Sequence, residues 1–304
     1  MQDRHVPVLE TDVLQTLVPT PGESVLDATL GLGGHAAAFL AAVNPDGQLI
    51  GLDADEINLE AARKRLAPYG ERVTLHRMNF GDLHTLLPMQ VNILFADLGL
   101  SSPHLDDPER GFSFRASAPL DLRYDRSSGQ TAAEFLLSSS EDRIAEVLKE
   151  FAEIPRSRIL AQELRRHFHS ASRSLSEWKT DDVVECVEAV FRYRAPHVLP
   201  QIFQALRIVV NDELGALKSL LSILPDVLTH GGRVGIISYH SLEDRLVKQT
   251  FRSLTTPELD PRTGQIAVSA PWKLLTPKAK KPSPEEIRRN PRSRSARFRA
   301  ILNI

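Results

Sequence analysis

The sequence has little cysteine and no long apolar run, and each absence excludes a class of protein. Cys186 is the single cysteine among 304 residues, so an internal disulfide is excluded and a reducing compartment is favoured. No apolar run reaches the roughly 18 residues that a membrane helix needs, and the first residues contain no signal-peptide core. We therefore expect a soluble, cytoplasmic protein with no membrane association.

Clustered metal ligands are also lacking in the sequence. His167 and His169 lie two residues apart on a predicted helix, which places their side chains on different faces. No other group of His and Cys residues has the spacing of a zinc site. The sequence therefore predicts no metal site.

The charged residues are nearly balanced in number but unevenly distributed. The formal net charge of −2 gives no signal for nucleic acid, yet the segment from Thr276 onward holds nine basic residues against two acidic ones. Such a block is a usable electrostatic footprint for RNA phosphates, and a solvated tail is the alternative. The basic residues of this segment are Lys278, Lys280, Lys281, Arg288, Arg289, Arg292, Arg294, Arg297 and Arg299.

The first hundred residues alternate between strand and helix patterns. Short apolar runs predict the strands, and helical periodicity follows the first two of them. The predicted strands are 24–29, 48–53, 72–76 and 91–97, and the predicted helices are 35–42 and 55–66, with Asp55 as a helix cap. This alternation predicts βαβ units and a parallel sheet.

The alternation stops after the fourth strand. Residues 99–130 form a long loop, and its position directly after a core strand favours a functional site. Helical patterns then continue to about Tyr193, with Thr180 as a predicted N-cap and no intervening strand. A helix after Pro200, a turn at 230–232, a strand at 233–239, a helix at 241–254 and a strand at 296–303 follow. The expected domains are therefore an α/β domain built from 1–110 and 201–304, with a helical insert at 111–200.

A glycine-rich turn, DATLGLGGH at 27–35, follows the first predicted strand. Glycines let a ligand approach the backbone, and the helix after them presents N–H groups to an anion. Asp53 ends the second strand, where a carboxylate can accept the hydroxyls of a ribose. Gly31, Gly33 and Ala36 also satisfy a loose dinucleotide pattern, which leaves a dehydrogenase as an alternative. Asp27, inside the first strand, favours a methyltransferase.

The fourth strand ends at Asp97, and the segment DLGLSSPHLDD, 97–107, begins there. Methyltransferases that modify base amino groups often have a polar residue followed by proline at this edge, where acceptors hold the exocyclic amine. Ser102-Pro103 matches that arrangement in part, since the second proline and the aromatic residue are missing.

Eight segments together resemble the ribosomal RNA small-subunit methyltransferase H family, also called the MraW family. These are HVPVLE, DATLGLGGH, GLDAD, DLGLSSPHLDD, ERGFSF, PLDLRYD, ISYHSLEDR and NPRSRSARFR, in order from His5 to Arg299. The resemblance implies a Rossmann-like class I methyltransferase fold of the α/β class with an inserted all-helical domain. It also implies S-adenosyl-L-methionine as cofactor and methylation of N4 of a decoding-centre (P-site) cytidine in 16S ribosomal RNA.

The resemblance also implies roles for individual residues. The positions that match the family's cofactor contacts are Gly33, Gly34, His35, Asp53, Phe80, Asp97 and His104, of which His104 replaces a glutamine found in many members. Our hypothesis is that Asp97 or the hydroxyls of Ser101 and Ser102 orient the target amino group. A role for Asp97 in cofactor binding alone is the alternative.

His240 follows the predicted fifth strand, and its role stays open between a base, a contact to the target and local packing. Ser241 and Asp244 are predicted to cap the next helix. Phe112, Phe114 and Tyr124 in the long loop are candidates for base stacking or for anchoring the loop.

The expected partner is 16S ribosomal RNA or the small ribosomal subunit, and a homodimer is allowed. Two alternative functions share much of the same chemistry. A DNA amino methyltransferase would use the same cofactor, but it would normally need a dedicated sequence-reading domain. A ribosome-assembly factor without catalysis is disfavoured by the intact glycine turn and by both strand-end acids, Asp53 and Asp97.

Overall fold

The computed structural model describes residues 7–170 and 173–304, with the backbone alone for Ser102. Contacts divide the chain into two compact units. The first unit runs to Gly99 and resumes at Gly215–Ile304, and the second unit is Leu100–Leu214. The second unit therefore extends beyond the predicted insert, 111–200, at both ends.

Helices and strands alternate in the first part of the chain, and helices dominate its middle. The helices are α1 Glu10–Leu17, α2 Gly34–Ala42, α3 Glu56–Leu66, α4 Ser102–Asp106, α5 Ala132–Ser138, α6 Glu141–Phe151, α7 Ser157–Ser170, α8 Thr180–Phe191, α9 Ala195–Val210, α10 Glu213–Ser222, α11 Leu224–Val227, α12 Ser241–Leu254 and α13 Pro284–Arg289. The strands are β1 Ser24–Asp27, β2 Gln48–Asp53, β3 Val73–Arg77, β4 Val91–Asp97, β5 Leu228–Ser238, β6 Glu258–Leu259, β7 Ile266–Val268, β8 Trp272–Leu274 and β9 Arg297–Asn303.

The described strands of the first unit form a seven-stranded sheet in the order β3-β2-β1-β4-β5-β9-β8. Strands β1 to β5 in this sheet are parallel, and β9 runs antiparallel between β5 and β8. The predicted parallel sheet and the Rossmann-like fold class are confirmed. Because β1, β2 and β4 are parallel neighbours, their last residues, Asp27, Asp53 and Asp97, come to one edge of the sheet.

The turn predicted at 230–232 is wrong, because these residues lie inside β5. Val91 pairs with Leu228 but Ile93 pairs with Arg233, so β5 takes up extra residues as a bulge in the ladder. Gly231, at φ 78, supplies the left-handed conformation that this bulge contains. The glycines therefore lie at an irregularity within a strand, and the apolar periodicity of the sequence does not predict such an irregularity.

The second unit is helical, as the sequence predicts, and its core explains its wider bounds. Ile202 and Leu206, on α9, are fully buried in the same apolar cluster as the helices before them. Helix α9 begins before Pro200 and carries that proline inside its first turns, so the unit continues past residue 200. Leu105, on α4, packs against the same cluster from the other end of the segment.

The predicted cap of α8 is displaced by one residue. Lys179 is the N-cap, and its N–H donates to Oδ2 of Asp182 at 2.8 Å. The hydroxyl of Thr180 instead donates to the carbonyl of Ala116 at 2.9 Å, so it fastens the loop before α5. Within 7–170 and 173–304, no helix has both the length and the apolar composition to cross a membrane.

Candidate functional site

Asp53 holds together the turn that leads out of β1. Its Oδ2 accepts a hydrogen bond from the N–H of Gly31 at 2.8 Å, and its Oδ1 accepts one from the N–H of Asp55 at 2.8 Å. The amide of Asn58, on α3, reaches both carboxylate oxygens at 3.2 and 3.3 Å. The aspartate therefore fixes the glycine turn and the start of α3 in one arrangement, and Asp55 caps α3 as predicted.

The glycine turn is left-handed where the sequence places its glycines. Gly31 has φ 51, and a Cβ added there would find its nearest neighbour only at 4.0 Å, so the space above the turn is open. Gly33, at φ 72, is the N-cap of α2, and Gly34 is the first residue of that helix. The backbone N–H groups of this first turn therefore lie at the sheet edge that carries the strand-end acids.

Asp27 is buried at the end of β1, with 1% of its surface exposed. Its Oδ1 accepts the N–H of Thr29 at 3.1 Å, while its Oδ2 has no hydrogen-bond partner among the residues that the structure describes. Burial raises the pKa of Asp27 to about 7; the Thr29 hydrogen bond opposes the rise, and repulsion from Asp97 and Asp53 adds to it. A buried carboxylate oxygen without a partner is costly, and such a group fits a bound cation or donor.

Asp97 ends β4 and contacts side chains from two other elements. Its Oδ1 accepts a hydrogen bond from the hydroxyl of Tyr239 at 2.8 Å, and its Oδ2 lies 3.7 Å from Nε2 of His35. Burial raises the pKa of Asp97 to about 7 against the opposing Tyr239 hydrogen bond, and Glu243 adds repulsion. Because 23% of the Asp97 side chain is still exposed, a ligand can reach this carboxylate.

His35 and Phe80 complete the part of the site that the sequence predicts in the first unit. His35 lies in the first turn of α2, with its ring centroid 4.5 Å from that of Phe95. Phe80 begins a short 3-10 helix after β3 and is half-buried. The N–H of Met78 donates to the carbonyl of Asp53 at 3.0 Å, which brings the segment holding Phe80 to the same edge.

The structure gives His240 a local role as a helix cap, so the predicted cap by Ser241 and Asp244 is wrong, and a role for His240 as a base or a target contact stays a prediction. His240 is the N-cap of α12, its Nε2 lies 3.0 Å from Oε1 of Glu243, and the N–H of Tyr239 donates to Oε2 of Glu243 at 2.9 Å. Asp244, predicted to complete the cap with Ser241, instead binds Arg299 at 2.7 Å and Arg297 at 2.9 Å. Glu243, one position earlier, completes the capping box with His240, while Asp244 pairs with the two arginines of β9.

Ser101 and His104 lie in the second unit, at the start of α4. The N–H of Ser101 donates to Nδ1 of His104 at 3.1 Å, and the Ser101 hydroxyl lies at the same distance from that nitrogen. The ring of His104 is 4% exposed and stacks on Tyr124 at a centroid distance of 5.1 Å. His104 therefore organises the start of α4. The prediction for the Ser102 hydroxyl falls outside the described part of the structure.

The loop aromatics pack within the second unit. Phe112 is buried and stacks on Tyr124 at 5.7 Å, and Phe114 contacts Phe203 at 5.4 Å. The Tyr124 hydroxyl donates to Oε1 of Glu213 at 2.9 Å. These contacts support the anchoring role for the three aromatics over the stacking role.

The basic segment after Thr276 is folded onto the first unit. Ser283 caps α13, and Oε1 of Glu286 accepts the N–H of Leu9 at 2.7 Å. The ammonium of Lys280 lies 3.1 Å from Oδ1 of Asp12. The segment is therefore folded, but most of its basic side chains are exposed, so simple solvation stays an alternative to RNA binding. The exposed basic residues of this segment are Lys278, Lys281, Arg288, Arg289, Arg292, Arg294 and Arg297.

The sheet edge fits the cofactor that the resemblance implies. The ammonium group at the methionine end suits Oδ2 of Asp27, which has no hydrogen-bond partner within 7–170 and 173–304, and ribose hydroxyls suit the carboxylate of Asp53. The open glycine turn leaves room for a ligand against the backbone. The sequence reasoning did not identify Tyr239, Asn58 or Glu243, since their contacts depend on which elements become neighbours.

A family model and two similar proteins all indicate the same family for this chain. The model of the MraW methylase family matches residues 2–304. A protein from Symbiobacterium thermophilum is 41% identical over 315 residues, which cover 100% of this chain and 98% of that protein. One from Anaeromyxobacter sp. (strain K) is 42% identical over 312 residues, covering 99% and 98% respectively. Both relatives are named Ribosomal RNA small subunit methyltransferase H.

Likeness to solved structures is looser. An rRNA methylase from Streptococcus thermophilus has a TM-score of 0.40 and 14% identity, over 97% of this chain and 94% of that chain. An O-methyltransferase from Thermotoga maritima has a TM-score of 0.41 and 12% identity, over 100% and 68%. Similarity at this level carries no conclusion about function.

Proposed function

The chain belongs to the MraW methylase family, and from this premise we propose that it methylates N4 of a decoding-centre cytidine in 16S ribosomal RNA. Membership confirms the resemblance found in the sequence, and with it a methyltransferase that uses S-adenosyl-L-methionine. It also removes the dehydrogenase alternative. The observation that supports the proposal most is the set of strand-end acids, Asp27, Asp53 and Asp97, beside an open glycine turn.

S-adenosyl-L-methionine supplies a methyl group on a positively charged sulfur. Asp53 is the acceptor for the ribose hydroxyls, and its contacts with Gly31 and Asn58 keep its carboxylate in place. Asp27 offers its buried Oδ2 to the ammonium group at the methionine end. The remaining residues proposed to contact the cofactor are Gly33, Gly34, His35, Phe80, Asp97 and His104.

His104 is the weakest member of that set. Its Nδ1 is engaged with the N–H of Ser101, and its ring lies among Tyr124 and Phe112. A glutamine at this position could present an amide to a ligand, whereas the histidine ring is fixed by its neighbours. A contribution of His104 through the start of α4 is therefore better supported than a direct hydrogen bond.

The reaction needs an acceptor for the amino group of the base. Cytosine N4 is a poor nucleophile because its lone pair is delocalised into the ring, so alignment and proton acceptance should both lower the barrier. Asp97 suits both tasks because it is reachable and its pKa is raised to about 7 by burial. The hydroxyls of Ser101 and Ser102, which follow Asp97 closely in the chain, are the proposed additional acceptors.

The proposed RNA partner fits the exposed basic residues of the segment after Thr276. The relatives' names refer to ribosomal RNA of the small subunit. A folded basic surface binds phosphates without reading sequence, and affinity of that kind falls steeply with salt. Replacing Arg288 and Lys281 by glutamine should therefore weaken binding to small-subunit RNA and reduce its salt dependence, while cofactor affinity stays unchanged.

The experiment that tests the function is methyl transfer from labelled S-adenosyl-L-methionine to small ribosomal subunits, followed by mapping of the modified nucleotide. We expect label on N4 of one decoding-region cytidine, and no label with the Asp53→Ala variant. Label at another atom or nucleotide would contradict the assigned target, and transfer to DNA alone would favour the DNA methyltransferase alternative. Cofactor binding without transfer to subunits, free RNA or DNA would favour the non-catalytic factor.

A further inference from the structure

Tyr239 lies where β5 ends and α12 begins, and it is held from two sides. Its N–H donates to Oε2 of Glu243 at 2.9 Å, and its ring packs against an apolar cluster of the first unit. Its ring also lies close to Gly99, where an added Cβ would come within 3.5 Å of the Cδ2 atom. The hydroxyl that reaches Asp97 is therefore carried by a side chain with little freedom to move.

The groups that face Asp97 come from several elements. Tyr239 donates to its Oδ1 at 2.8 Å, and His35, on α2, lies 3.7 Å from its Oδ2. Asp27, on β1, and Glu243, on α12, repel its charge. Burial, Asp97 and Glu243 keep the pKa of the Tyr239 phenol well above its usual range, so Tyr239 keeps its proton near neutral pH and donates a hydrogen bond to Asp97.

Two consequences follow from a donor fixed on one carboxylate oxygen. A hydrogen bond to the charged form of a carboxylate favours that form, which counteracts the desolvation of Asp97. The hydrogen bond from Tyr239 to Oδ1 also fixes the rotation of the Asp97 carboxylate. Oδ2 is therefore the oxygen that faces a bound ligand. Both effects would be lost on removing a single hydroxyl, without changing the shape of the ring.

We propose that Tyr239 is a positioning residue that holds Asp97 ionised and presents its Oδ2 to the ligand. This inference rests on the proposed role of Asp97 at the cofactor site. It assigns to the residue before His240 a function that the motif ISYHSLEDR did not suggest.

The test is the affinity of the full-length protein for S-adenosylhomocysteine, measured by calorimetry from about pH 5.5 to 9. In the wild-type protein we expect affinity to weaken as pH falls through about 7, where Asp97 takes up a proton. In Tyr239→Phe this transition should move upward by about one pH unit. The two proteins should then differ by about fivefold at pH 7 and agree within about twofold at pH 9.

Tyr193→Phe is the matched control, because it removes the same hydroxyl from a tyrosine that is 80% exposed. In an Asp97→Asn background, Tyr239→Phe should have no further effect on the pH dependence. If Tyr239→Phe is poorly folded, 3-fluorotyrosine at position 239 keeps the hydroxyl and makes it a stronger donor, and it should shift the transition downward.

An unchanged transition in Tyr239→Phe, or a loss of affinity that is equal at every pH, would overturn the proposal. An effect of Tyr239→Phe that is seen with Asp97 present and is absent in the Asp97→Asn background would support it. Since no RNA is present, a failure to methylate ribosomal subunits would count against the proposed substrate and leave this result standing.

Discussion

Asp182, in the second unit, and the strand-end acids Asp27 and Asp97, in the first unit, differ in how their charge is balanced. In the second unit, Asp182 receives hydrogen bonds from His167 at 2.8 Å and Arg173 at 2.7 Å, and these lower its pKa despite the opposing effect of burial. In the first unit, burial raises the pKa of Asp27 and of Asp97 to about 7, and no basic side chain in the described structure pairs with Asp27. Three aspartates of one protein thus differ in the direction of their pKa shift, which is downward for Asp182 and upward for Asp27 and Asp97.

This difference distinguishes acids that stabilise the fold from acids that are available to bind a ligand. A carboxylate that is matched by cations stabilises the fold in its charged form, as Asp182 does. A buried carboxylate without a cation destabilises the fold when charged, and it becomes favourable only when a ligand supplies the missing partner. This supports the proposal that the acids at the edge of the sheet bind the cofactor, whereas paired acids such as Asp182 stabilise the fold.

The largest expected effect concerns Asp53, which combines ligand contact with support of the glycine turn. Asp53→Ala should weaken S-adenosyl-L-methionine binding by at least about 100-fold, because it removes a charged acceptor and frees Gly31 and Asn58. Isothermal titration calorimetry measures this loss. Asp46→Asn, at an exposed position, is the control and should bind as the wild type does. Full affinity in Asp53→Ala would place the cofactor elsewhere.

Asp182→Asn tests whether the paired acid of the second unit contributes to stability and not to cofactor binding. It should lower the free energy of unfolding by about 2 kcal/mol at pH 7, since His167 and Arg173 lose a buried charged partner. Because the pKa of Asp182 is lowered in the folded state, its stabilisation exists above the unfolded value near 4 and is lost as pH falls below it. Denaturant unfolding measures the loss, and cofactor affinity should not change. A weaker cofactor affinity here would break the proposed separation.

Asp27→Asn should have the opposite pH dependence and a smaller effect on stability. The raised pKa of Asp27 means that its stabilisation exists below about pH 4 and is lost as pH rises towards 7. At pH 8 the variant should therefore be more stable than the wild type by about 1 to 2 kcal/mol, while its cofactor affinity falls. Thermal unfolding between pH 4 and 8 follows the change. A variant that is less stable at pH 8 would contradict an uncompensated charge at this position.

Much of the sheet edge was predictable because its signals are local. Asp53 and the glycine turn follow strands whose short apolar runs are evident in the sequence, and parallel packing brings such strand ends together. The pairing of Tyr239 with Asp97 joins residues 142 positions apart, so no local pattern reports it. The cap on α12 was assigned to Ser241 and Asp244 because the sequence alone did not show that β9 would bind Asp244.

The fold was predictable to a similar extent. Strand alternation gave β1 to β5 and β9, but the bulge near Gly231 and the short strand β8 depend on their neighbours in the sheet. The sequence predicts narrower bounds for the second unit than the structure has. Its apolar core also includes contacts from Leu105, before the predicted insert, and from Leu206, after it. Periodicity identifies an element, and burial against other elements decides where a unit ends.

The most direct test of the account is proton release when S-adenosyl-L-methionine binds to the free protein at pH 7. Calorimetry in two buffers with different ionisation enthalpies measures it, because released protons enter the buffer and change the observed heat. A cationic ligand beside Asp27 and Asp97 should lower both pKa values and release part of their bound protons, and the release should vanish at about pH 9. Binding with the same heat in both buffers at pH 7 would contradict the claim that these acids await the charge of the cofactor.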